Sequence, residues 1–109
     1  MYMILFVLDN PDRLTSLLRA WEQAGVSDVT IIESTGIHRH LKQRIPMRYT
    51  FQVLAEENHL TLLTVVKDQA QVDACLQATE SVIGDLEVPN TGMFAAWPLT
   101  TAKGLMEQE

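Results

Sequence analysis

The sequence predicts one α+β domain of βαββαβ order, because a strand, a capped amphipathic helix and a second strand are written twice, over residues 4–36 and 62–99. A shift of 58 residues lays Ile4-Leu5-Phe6-Val7-Leu8-Asp9-Asn10 on Leu62-Leu63-Thr64-Val65-Val66-Lys67-Asp68. The same shift lays the helical stripe Leu14, Leu17, Leu18, Trp21 on Val72, Cys75, Leu76, Thr79. A doubled unit of this kind folds as a ferredoxin-like sandwich, a four-stranded antiparallel sheet with two helices on one face.

Each element follows from local chemistry. Met3 to Leu8 is an unbroken apolar run, so both faces of the first strand need cover, since successive side chains point to opposite sides. Asn10 is a helix cap, Pro11 fits the first helical position where its missing N–H costs nothing, and Gly25 closes the helix after Trp21 and Ala24. Val29 to Glu33 form the second strand. In the second unit Asp68 caps, Val72, Cys75, Leu76, Thr79 and Ile83 keep helical spacing, and Gly84 ends the helix. The last strand is Met93 to Trp97, stopped by Pro98, with Trp97 read as core within its apolar run.

Two helices cover one sheet face only. The alternate residues of strand one must then lie on a bare apolar face, which predicts a partner, and a further copy of the chain is the simplest one. The expectation is a homo-oligomer packed through that face.

Length and charge narrow the function. At 109 residues the chain holds one domain with one core. A net charge of −6 argues against nucleic acid and anionic membrane as partners, because phosphate binding needs a concentrated positive field. Cys75 is the single cysteine and reads as a small core residue. No disulfide or cysteine metal cluster is possible within one chain, the N-terminus lacks the grammar of a signal peptide, and no apolar run reaches the roughly 20 residues of a membrane span. A soluble cytoplasmic protein is expected.

The connection between the units, about residues 37–58, is long for a hairpin and holds Arg39, Lys42, Arg44 and Arg48, four of the eight Lys and Arg residues. No Asp or Glu lies between Glu33 and Glu56. An acidic protein therefore carries one basic arm, a solvated loop on the plain reading and a contact for an anion or acidic partner on the functional one. Arg48 to Leu54 alternates as a strand does, so part of the arm reads as a β-ribbon.

Four segments together, Thr35-Gly36-Ile37-His38-Arg39, the long loop behind it, Ile83-Gly84-Asp85, and Gly92-Met93-Phe94-Ala95-Ala96-Trp97-Pro98-Leu99, resemble the PII nitrogen-regulatory family over essentially the whole chain. The resemblance implies a homotrimeric signal-transduction protein that binds an ATP- or ADP-type nucleotide, with 2-oxoglutarate or another small effector, in clefts between subunits. It also implies a loop, here about residues 37–58, that touches a target protein. On the matching positions the implied ligand residues are Gly36, Arg39, Gly84, Gly92 and Lys103, and the implied target contacts are Arg44, Arg48 and Tyr49.

The chain departs from the family at several of these points. His38 stands where a second loop glycine is usual, Leu86 to Thr91 form an insertion, and Met93 replaces a phosphate-contacting lysine. Near the C-terminus Lys103 alone answers to a pair of arginines, and the modifiable tyrosine falls at Gln52. Burying a triphosphate without paired cations is costly. These residues predict a small anionic ligand in place of tightly held ATP, and no uridylylation.

Two further readings come from the residues. His38 and His40 project to one side of an extended strand, and with His59 they would suit zinc or copper, as in the divalent-cation-tolerance trimers that share this architecture. Alternatively the chain is a structural module with no ligand. No nucleophile, base or phosphate-loop motif is present, and the expected function is not enzymatic.

Overall fold

The computed structural model describes residues 1–35, 58–88 and 91–105. The elements are β1 (Tyr2–Leu8), a 3-10 turn (Pro11–Arg13), α1 (Leu14–Gln23), β2 (Thr30–Thr35), β3 (Asn58–Val66), α2 (Gln69–Ile83) and β4 (Gly92–Pro98). All four strands form one antiparallel sheet in the order β2-β3-β1-β4. The ferredoxin-like arrangement expected from the doubled unit is the one the chain adopts.

The punctuation acts where the sequence puts it. Asn10 Oδ1 accepts from the Asp12 N–H at 3.0 Å and Asp68 Oδ1 from the Gln71 N–H at 2.9 Å, so each helical segment opens on a side-chain cap. Asn10 and Pro11 open a single 3-10 turn ahead of α1 rather than α1 itself. Some boundaries differ from expectation: β3 starts at Asn58, four residues before Leu62, because it pairs with the whole of β2 from Thr35↔Asn58 to Thr30↔Leu63. Pro98 is the last residue of β4, an edge strand, where a missing N–H is tolerated.

The two halves meet on a pseudo-twofold axis. Leu5 pairs with Leu63 at the centre of the sheet, and these are equivalent positions of the two units. Directly below, Trp21 Nε1 donates to Thr79 Oγ1 at 2.8 Å, again between equivalent positions. Thr79 in turn donates to the Cys75 carbonyl at 2.8 Å, so the buried indole and hydroxyl are both satisfied. The halves diverge after their helices. Thr30 and Ala95, opposite Leu63 and Leu5, are 65 positions apart rather than 58, so the second unit carries additional chain between helix and strand.

The core lies between the sheet and the helices. Ile4, Phe6 and Leu8 of β1 and Leu62 and Val66 of β3 are buried against Leu17, Trp21, Val72 and Cys75. Phe6 meets Trp21 edge-on with ring centroids 6.5 Å apart. Thr64, also buried, donates to the Asp28 carbonyl at 2.8 Å. Burial pushes the Cys75 thiol up to about 12, against a lowering contribution from the Thr79 hydroxyl.

Thr79→Val keeps the side-chain volume but strands the buried Trp21 N–H, so we expect a loss of about 1–3 kcal/mol in chemical denaturation. A thiol with a raised folded-state pKa favours the folded state fully below its ordinary value of 9.0 and less as pH rises toward about 12. Stability should therefore fall across that window, and Cys75→Ala should show a smaller fall when the two unfolding curves are compared pH by pH.

Candidate functional site: the open sheet face and its two ends

Side-chain alternation divides the sheet cleanly. Ile4, Phe6 and Leu8 point to the helices, so Met3, Leu5 and Val7 point away, joined by Leu63 and Val65 of β3 and Met93, Ala95 and Trp97 of β4 through the register. At its margins this face exposes Ile32 by 46%, Met93 by 53% and Trp97 by 42%. Trp97 is thus not a core residue. The expectation that it would be is overturned by register: Ala96, not Trp97, lies opposite the buried Ile4.

A groove of about 470 Å³ opens at the lower end of this face, where β1 begins and β3 ends. Met1, Met3, Leu63, Val65 and Leu105 supply apolar walls, and Asp28, Thr30 and Lys67 supply polar groups. It exists because β2 pairs with β3 only as far as Thr30↔Leu63, which leaves the last residues of β3 without a β2 neighbour. Apolar walls with a few polar groups are the usual make-up of a ligand pocket.

At the upper end lie Gly84 and Gly92. Gly84 closes α2 at φ +104°, and a Cβ there would meet nothing within 4 Å. Gly92, at φ +143°, is different: a Cβ would lie 2.8 Å from the Val7 carbonyl oxygen and 3.0 Å from Phe6 Cζ. Close packing of β4 on β1 accounts for that glycine without any ligand. The chain between the two glycines also uses its own amides, since Leu86 N–H donates to Glu80 Oε2 at 3.2 Å, Glu87 N–H to Asp85 Oδ1 at 2.9 Å and Val88 N–H to the Asp85 carbonyl at 3.1 Å. A phosphate would have to displace the Glu80 and Asp85 carboxylates and the Asp85 carbonyl from these donors. The described part of this loop does not fit a polyphosphate.

Lys103 belongs to the other end. β4 runs from Gly92, opposite Leu8, to Pro98, opposite Tyr2, a span of about 20 Å at the usual strand rise. Leu99 N–H then donates to the Met1 carbonyl at 2.9 Å, and the exposed segment bearing Lys103 reaches the lower groove through Leu105. A single chain does not bring Lys103 to Gly84 and Gly92.

Gly36, Arg39, Arg44, Arg48, Tyr49, His38 and His40, together with the ribbon expected over 48–54, lie outside the described residues. His59 is described, half-buried on β3, with Nε2 3.8 Å from Asp9 Oδ1. Ser34 bonds the His59 carbonyl at 3.2 Å and Thr61 Oγ1 at 2.7 Å, not the imidazole. Among the described residues no three His, Cys, Asp or Glu side chains gather as metal ligands, and no helix is long and apolar enough to cross a membrane. Ile32, Lys67 and Leu105 carry no functional spacing signal in the sequence, since Ile32 is one of several apolar residues in strand two and Lys67 and Leu105 belong to no motif.

Fold and face define the class: a ferredoxin-like α+β domain whose second sheet face is apolar and, among the described residues, covered by no helix. No protein-family model and no curated protein sequence matches the chain.

The two glycines should respond differently to substitution. Gly92→Ala adds a backbone clash to an unfavourable φ and should cost upwards of about 2 kcal/mol, whereas Gly84→Ala meets only conformational strain of about 1 kcal/mol. Urea denaturation of both variants checks the order.

Proposed function

We propose that the chain is a PII-like regulatory protein: a homotrimer built on its open sheet faces, with a small anionic ligand in clefts between subunits and the basic loop over 37–58 offered to an acidic target protein. The observation that carries this reading is the uncovered apolar face, from Met3 to Trp97, which is too continuous to be scattered surface residues.

The ligand favoured here is compact and singly or doubly charged, not a triphosphate. Lys67 at the groove and Lys103 two residues before Leu105 supply its cationic contacts, with Gly36 and Arg39 as loop candidates. Signalling follows from population shift: the ligand biases the loop only by binding one of its arrangements better than another. Arg44, Arg48 and Tyr49 then meet the target, and the protein acts by binding, without catalysis.

Light scattering at about 10 μM should give a mass near three times the 12.3 kDa chain, and Trp97→Asp, on an exposed position, should return it toward one chain with an unchanged circular dichroism spectrum. A wild-type mass of one chain removes the assembly. Calorimetry with bicarbonate, AMP, ADP and ATP should show binding that is strongest for the less charged anions; silence with all of them removes the sensor and leaves an assembly module.

A further inference from the structure

We propose that Leu99–Leu105 is a strap seated in cis across the lower half of the open face, and that it competes with a second copy of the chain for that surface. The proposal rests on the self-association reading above. Three features define the strap. Its start is fixed by the bond from Leu99 N–H to the Met1 carbonyl at 2.9 Å. Near its end Gly104 adopts φ +83°, the left-handed region that glycine enters without steric cost, and so turns the chain. Directly after it, Leu105 forms one wall of the groove whose other apolar walls are Met1, Met3, Leu63 and Val65.

Met3, Leu63 and Val65 are open-face residues of β1 and β3, lying within the area a second copy would cover. A sheet face approaching from another chain meets Leu105 before it meets Met3 or Val65. Leu105 stands as a wall of the groove and remains 42% exposed, so only part of its side chain is shielded there. A contact of this strength is displaced by a larger apolar surface. The strap thus sets a threshold on assembly: it shields the face while the chain is dilute and gives way when a second copy arrives.

The test uses the full chain. Leu105→Ser removes the strap's apolar contact without touching the face, and sedimentation velocity across a concentration series should show self-association about fivefold tighter per protomer, the value expected for part of a leucine's burial. Unchanged or weaker association overturns the proposal, the latter because Leu105 would then belong to the interface itself. Seating is read separately with Met3→Cys/Leu105→Cys and a short bismaleimide; Cys75 is buried with its thiol pushed up to about 12 and stays unreactive. Intact mass spectrometry showing one linker bridging both cysteines of a single chain supports seating in cis. Products of two-chain mass, or none, overturn it. If neither wild type nor Leu105→Ser associates at any concentration while the intrachain product forms, the self-association reading has failed and competition with it, whereas an associating wild type without the intrachain product isolates the failure to the strap.

Discussion

The structure depends on one axis, along which the two repeats of the chain touch at equivalent residues. In the sheet this is the Leu5 and Leu63 pair, and beneath it the bond from Trp21 to Thr79. An indole N–H and a threonine hydroxyl sealed in an apolar core each need a partner, and here each finds the other at full burial. That requirement fixes the depth and rotation of α1 against α2. It also explains why the second repeat carries a threonine where the first carries a tryptophan: two tryptophans on the axis would neither fit nor bond. Gln71 adds a tie between the units at the lower end, its side-chain amide donating to the Gly25 carbonyl at 2.9 Å.

Once both helices are drawn to the same side, the other side of the sheet stays apolar with no described helix over it. Leu5 and Leu63 mark this well, since they are central in the sheet yet face away from both described helices. The ends of that face differ in chemistry. The upper end has carboxylates that occupy the loop's own amides, and the lower end has an apolar groove with Lys67 beside it and Leu105 across it. A ligand or partner reaching the upper end meets carboxylates; one reaching the lower end meets hydrocarbon with both Asp28 and Lys67 beside it.

Much of the fold was legible in the sequence because caps, stripes and glycine stops are local signals. Asn10, Asp68 and Gly84 act where the pattern placed them, and Trp21 and Cys75 are core as their spacing predicts. Trp97 was misread because an apolar run does not reveal which of its residues face the helices; that depends on register with β1, a nonlocal pairing. The resemblance marks Gly92 as a ligand glycine, but what lies against it is the Val7 carbonyl and the Phe6 ring. Lys67 and Leu105 gain meaning only from the early end of the β2–β3 pairing and the return of the C-terminal segment, neither of which leaves a mark in local sequence.

We propose that the open face is a surface for other copies of this chain. Mass action tests it most directly, because association of folded chains stabilises them in proportion to their concentration. Thermal unfolding followed from about 1 to about 100 μM should show a midpoint that climbs with concentration. A midpoint that stays constant over that range would contradict the account.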